Sequence, residues 1–246
     1  ESARDRSLIV AFLENNLSST GRDIRIEGFK GLLSSKATLD SLTISDDAGV
    51  WFSLKDAELD WKRTALFSGQ LEINSLSAAS IEVLRRPTLG QSNVTPEATV
   101  FALPDLPVGI EIGEISARSV TLGGDFLGVD EDVELTFEGR ADLAQGSGSA
   151  TLDIQRLTGP SGSFQFFSSY SNASTQLALD LSLTEGKGGF ISTLVGLPGS
   201  PDLSLTAKGE GPLDTFRADI ALTTEGQPRL TGQLGLSLVE EPSQAE

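Results

Sequence analysis

Hydrophobic residues recur at every second position along most of this chain. In Thr175–Gly186, Leu177, Leu179, Leu181 and Leu183 alternate with Ala178, Asp180, Ser182 and Thr184, and Glu185-Gly186 ends the run. A period of two places the four leucines on one face of a strand. The same alternation opens at Ile24–Ile26. It continues through residues 37–61, 71–83, 108–116, 119–124, 132–139, 148–157 and 163–171, and resumes after the leucine run through 202–211, 216–226 and 229–238. Within residues 49–62, Val50, Phe52 and Leu54 hold one phase and Ala57, Leu59 and Trp61 the other. Such a slip predicts a β-bulge, or a bend between two short strands.

Three stretches depart from period two. Leu8, Ile9, Phe12, Leu13 and Leu17 share half of a helical wheel, and Gly21 suits the left-handed residue that follows a last turn. This predicts an amphipathic helix over residues 1–21. "KRTALFSG" predicts a single helical turn, and "GGFISTLVGLPGSP" a short helix that stops before Pro198. Pro87, Pro96, Pro104 and Pro107 interrupt the sheet, since proline cannot donate to a ladder. An exposed loop is therefore expected over 85–103 and a disordered tail over 239–246, with the strands between 22 and 238 forming one domain. Most strand pairs are separated by turns of two to five residues rich in Gly, Asp or Asn. Neighbours should pair antiparallel, giving a mainly β fold organised as one elongated antiparallel meander.

Composition narrows the function classes. The 246 residues carry 18 Lys plus Arg against 35 Asp plus Glu, for a net charge of −17. So acidic a chain repels phosphate backbones, and no nucleic-acid partner is expected. Cys, His and Met are absent. Disulfides, His- or Cys-based zinc sites and His-dependent triads are thereby excluded. The run Leu8–Leu13 is far shorter than the ~20 apolar residues of a spanning helix. With a start at Glu1 and no signal peptide, the chain reads as a piece of a longer protein.

Candidate chemistry is sparse. Asp56, Glu58 and Asp60 alternate with Ala57 and Leu59, as on the solvent face of a strand, and do not face one another across a cleft as a glycosidase requires. Asp130, Glu131 and Asp132 follow "GGDFLGV", but the spacing fits no calcium-binding loop. Asn93 and Asn172 head glycosylation-type triplets. "GEGPLD" lacks the following helix and the lysine of a phosphate loop and reads as a turn. Trp51 and Trp61 read as packing residues, and Arg85-Arg86 as a small basic spot of the kind usually solvated. Neither an enzyme nor a cofactor or metal site is expected. The leucine face is left as the informative feature. It is either the wall of a closed sandwich or barrel or an open apolar surface. An aromatic content of 6% and the lack of a closing signal near the end favour the second.

The motifs "GFKGLL", "LTISDDAGVW", "LDW", "ALFSGQLEI" and "VLRRP", in that order, followed by "LPDLPVGIEI", "GGFISTLVGLPG" and "GEGPL", resemble the amino-terminal periplasmic region of the TamB family. That family comprises the inner-membrane-anchored subunits of the bacterial translocation and assembly module, within the AsmA-like superfamily. The resemblance spans nearly the whole chain. It implies a sheet curled into an open trough (a β-taco), tethered to the inner membrane and reaching across the periplasm. It further implies phospholipid passage between the membranes and support of outer-membrane protein assembly. The partners implied are phospholipid acyl chains, the remainder of the full-length chain with its anchor and carboxy-terminal domain, and an Omp85-type outer-membrane protein. Neither the anchor nor the carboxy-terminal domain lies in these residues, so the resemblance assigns partner contact to none of them. The groove lining would include Leu177, Leu179, Leu181, Leu183, Leu203, Leu205, Ile220, Leu222, Leu234 and Leu236. The competing readings are a structural or adhesive closed β-domain and a secreted polysaccharide-binding β-solenoid.

Overall fold

The computed structural model describes residues 23–31, 34–88, 102–104 and 106–236. The helix expected over 1–21, the tail over 239–246 and residues 89–101 of the loop lie outside the described residues. Twelve strands form one sheet in strict chain order, from β1 to β12. They are β1 (Asp23–Glu27), β2 (Lys36–Asp46), β3 (Gly49–Lys62), β4 (Gln70–Val83), β5 (Gly109–Leu122), β6 (Val133–Ala144), β7 (Ser147–Arg156), β8 (Gly162–Ser171), β9 (Gln176–Glu185), β10 (Leu203–Pro212), β11 (Arg217–Thr224) and β12 (Gln227–Gly235). β1 and β12 remain as edges, so the sheet is not closed, and every residue of β12 is exposed. The meander and the open sheet agree with the sequence pattern.

One junction departs from the expected antiparallel pairing. β4 and β5 run parallel, with Leu71 beside Ile110, Leu76 beside Ile115 and Val83 beside Leu122. A parallel pair needs a crossover that returns to the starting end of the sheet, and the long connection from Leu84 to Val108 supplies it. Its two ends are pinned. Arg85 bonds Asp46 in the β2–β3 turn, and Leu103 exchanges two hydrogen bonds with the Asn172 amide in the β8–β9 turn (2.9 and 2.8 Å). Residues 108–116 and 119–124, expected as two strands, are largely one long strand, β5, whose register slips against β6 at Ile112/Ile115 and Ala117/Val120.

The phase slip in β3 has a structural cause. Pairing passes over Asp40, Asp56, Ala79 and Arg118, which fall at one level across β2 to β5. Asp56 has φ 49°, in the left-handed region, and it is exposed beside exposed Lys55. One irregular residue per strand shifts the alternation without breaking the ladder. Leu42, Leu54, Ile81 and Val120 therefore share a face with Leu39, Ala57, Ala78 and Ala117 beyond the slip. Ala78 and Ala117 are buried there, as small side chains should be where a bulged sheet bends.

Helical turns sit at the strand ends. The 3-10 turn Arg63–Ser68 follows β3 and ends at Gly69, φ 72°. Helix α1 (Gly124–Leu127) follows β5 and α2 (Phe190–Leu194) follows β9. A second 3-10 turn, Leu213–Thr215, joins β10 to β11. The turns over 63–68 and 190–194 were legible in the sequence.

Candidate functional site

The cross-strand register extends the apolar face from β2 to β12. One row runs Leu39, Ala57, Ala78, Ala117, Phe137, Ile154, Phe164, Leu183, Leu205, Leu222, Leu230. The next runs Ala37, Leu59, Leu76, Ile115, Gly139, Leu152, Phe166, Leu181, Ala207, Ile220, Gly232. Directly opposed side chains share a face, so these rows are continuous apolar lines across the strands. By register, nine of the ten residues expected in the lining fall on this side of the sheet, and Leu236 lies just past the end of β12. Leu177 neighbours Tyr170 and Gly211, and Leu179 neighbours Ser168 and Gly209. Leu203 lies between Glu185 and Thr224. Leu234 pairs with Ala218, and the Leu236 N–H donates to the Phe216 carbonyl just beyond β12.

Burial separates this face from a core. Leu177, Leu179, Leu181, Leu183, Leu205, Ile220 and Leu222 are half-buried, Leu203 is buried, and Leu234 and Leu236 are 50% and 45% exposed. Among the described residues the larger side chains that are fully enclosed, Phe216 and Val133, stand at strand ends. Phe216 is 2% exposed and its ring lies on Gly209, where an added Cβ would come within 2.8 Å of Cζ. The 3-10 turn it follows, with buried Leu213, thus folds over one rim. At the other rim α2 brings Phe190 and Ile191 over β5 to β9. Beneath it is a cavity of about 310 Å³ lined by Leu122, Leu135, Ile154, Phe164, Leu183 and Phe190, among others.

Two charged residues face that cavity, Arg156 and Glu185. Sequence reading passed over both, although the alternation Ala150, Leu152, Ile154 carries straight on to Arg156. Glu185 is 4% exposed, and its two oxygens accept the N–H groups of Ile191 (3.0 Å) and Ser192 (2.9 Å). It holds the start of α2 against the sheet. Gly189 is required at that start, because a Cβ there would collide with the Glu185 carboxyl. The Arg156 Nε donates to the Thr158 carbonyl (2.6 Å), and its Cζ lies 5.7 Å from the centre of the Phe190 ring. Its Nη1 is buried with no hydrogen-bond partner.

The opposite face is polar and laced with ion pairs. Lys36 meets Glu58 and Asp60, Lys55 meets Glu82, Lys62 meets Glu72, and Lys208 meets Asp180. A hydrogen bond from Lys36 to Glu58 raises the Lys36 pKa above the ordinary lysine value, and Asp180 does the same for Lys208. The Ser53 hydroxyl, then Lys55, lowers the Glu82 pKa. The carboxylates Glu58 and Asp60 are thus partners of lysine on the solvent side. Asp132 accepts the Gly124 N–H at the start of α1 (2.8 Å), and no group of metal-ligating side chains occurs among the described residues.

Other motifs resolve structurally. The Trp61 indole donates to the Ser34 carbonyl (3.0 Å) and Trp61 pairs with Ile73. Asn172 is bonded to Leu103, and Asn93 lies outside the described residues. The basic spot is a tie: Arg85 is bound to Asp46, and the Arg86 Nε donates to the Phe126 carbonyl (3.2 Å). A polar cavity of about 360 Å³ opens on the outer face at the β5 irregularity, lined by Glu114, Glu138, Arg140, Asp153 and Gln165. Among the described residues no aromatic ring lines it.

The fold and its apolar rows define a class, an open one-sided β-groove with rim turns folded over its edges. No family model, no curated protein and no solved structure matches the chain.

Proposed function

We propose that this chain is a segment of a lipid conduit whose apolar face carries acyl chains. The observation that carries the reading is the run of apolar side chains through register-matched rows, half-buried on an unclosed sheet. A protein folding only for itself gains by closing such a surface, since burial is worth roughly 25 cal/mol per Å². An acyl chain closes it equally well. At about 0.8 kcal/mol per CH₂, a ~16-carbon chain gains on the order of 12 kcal/mol against water. Successive strands repeat similar apolar steps about 4.8 Å apart, which suits sliding better than capture. No step needs a reacting side chain, and the reading is of a carrier without catalysis or cofactor.

With the motif resemblance to the TamB family, the reading extends to place and purpose. The groove would stand in the periplasm, tethered to the inner membrane through the full-length chain, and pass phospholipid towards the outer membrane in support of its biogenesis. The test is mass spectrometry of the chain purified without detergent from cells. Phospholipid should co-purify, and stripped protein should reload from vesicles. Protein that is lipid-free and refuses vesicle lipid would end the proposal.

A further inference from the structure

The Nη1 of Arg156 is a buried donor without a partner, the one such side-chain atom among the described residues. A buried donor left unpaired loses its bonds to water and gains none, and a charged one loses most. Glu185, the other charge in the cavity, offers no relief. Both of its oxygens are taken by the N–H groups of α2, and it forms no ion pair with Arg156. On a chain of net charge −17, the inside of the groove is where a free positive group is least expected.

We infer that Arg156 is a head-group site: its guanidinium takes an anionic phosphate oxygen of a lipid whose acyl chain lies on the apolar face. The inference rests on the conduit reading and names its ligand more closely. The cavity supplies both halves of the match. Leu122, Leu135, Ile154, Phe164 and Leu183 offer hydrocarbon contact, and Arg156 offers charge at the rim beneath α2. Position fits as well. Arg156 is the last residue of β7 and pairs with Leu135, so a head there leaves the chain free to run along the rows towards β9 and β10. The Thr158 bond fixes Nε and the Phe190 ring flanks the guanidinium, which leaves Nη1 as the donor still to be bonded. Guanidinium suits phosphate because its planar donors match the oxygens. Free phosphate would meet mostly apolar walls, so the site selects an amphiphile.

The test uses the whole 246-residue chain, stripped of lipid and incubated with dioleoylphosphatidylcholine vesicles holding equal dioleoyl phosphatidic acid and dioleoylglycerol. The readout is the ratio of the acid to the glycerol recovered with the protein. R156L should lower that ratio about tenfold relative to wild type, the worth of one charge-assisted hydrogen bond. K208A, which removes a charge on the outer face, should leave the ratio where it is. If R156L fails to fold, R156Q is read in its place. Replacing chloride by inorganic phosphate at equal ionic strength should not change the wild-type ratio. A variant that keeps the wild-type ratio, or a ratio that collapses in inorganic phosphate, overturns the site while leaving the conduit intact. Wild-type protein that takes up neither lipid overturns the conduit and the site with it.

Discussion

Arg85 and Asp46 grip each other through two parallel hydrogen bonds, Nη1 to Oδ2 at 2.9 Å and Nη2 to Oδ1 at 2.6 Å, across the β2–β3 turn. The same carboxylate accepts the Thr88 N–H and hydroxyl and the Ala48 N–H. This knot fixes where the chain leaves β4, and with it the start of the crossover that makes β5 parallel.

The knot sets an acid limit. Arg85 first, then Thr88, holds the Asp46 carboxyl far below the usual carboxylate range. A depressed pKa means that the folded state binds its proton later than the unfolded state does. The contribution is present above the ordinary Asp value of about 3.9 and is lost as pH falls below it. Asp153, lowered by the Gln155 and Gln165 amides, and Glu82 act in the same direction. Wild type should lose thermal stability below about pH 4, and Asp46→Asn should flatten that limb. Thermal midpoints from pH 2 to 7 check this; equal acid slopes would count against the knot.

The basic limb has the opposite sign. Lys36 and Lys208 have raised pKa values in the folded state. Their contribution is complete below the ordinary lysine value of about 10.4 and is lost as pH rises through the folded values. Both pairs are exposed, so the loss is small and weakens with salt. Urea midpoints from pH 8 to 11 should stay level until the lysine range, and Lys36→Met should remove part of the late decline.

Gly209 and Phe216 form the rim closure over β10. Any side chain at Gly209 meets the Phe216 ring and the Arg217 carbonyl. Gly209→Val should destabilise by about 1–3 kcal/mol through overpacking. Phe216→Ala, which empties a site 2% exposed, should cost about 3–5 kcal/mol. Phe216→Ala relieves the ring clash but not the one with the Arg217 carbonyl, so the double variant should cost less than the sum by the ring's share alone. Urea unfolding of all three variants measures this, and strict additivity would assign the Gly209 strain to the backbone.

Period two made the strands, their order and the apolar face legible, because burial on one side forces alternation that any window reveals. The parallel β4–β5 pair was not legible. Leu71, Leu76 and Val83 present the same pattern to either strand direction, and only the length of the Leu84–Val108 connection hinted at a return. The slip at Asp56 was visible as a change of phase. Its alignment with Asp40, Ala79 and Arg118 needed the register, which depends on pairing between strands. The leucines of β9 to β12 were singled out from the sequence, whereas Arg156 was passed over. A charged residue closing an alternating run reads as the end of a strand, and its Nη1 loses its partner only in three dimensions.

Leu181 decides between an open groove and a sealed wall. It lies between Phe166 of β8 and Ala207 of β10, on a row that crosses the sheet, and it is half-buried. In a sealed core Leu181→Asp would strand a carboxylate without partners, a cost of several kcal/mol and enough to unfold a domain of ordinary stability. On an open face that carboxylate reaches water whenever no lipid lies over it, so the fold should survive with a modest loss in thermal midpoint. An acyl chain passing the same point would have to strip water from the charge, and lipid carriage should fall steeply. The measurement is therefore paired: the thermal midpoint of Leu181→Asp, and its phospholipid content after vesicle loading. Folded protein with depleted lipid is the expected result. A folded variant that loads as well as wild type would remove Leu181 from the lipid path, and an unfolded one would make the row a structural wall.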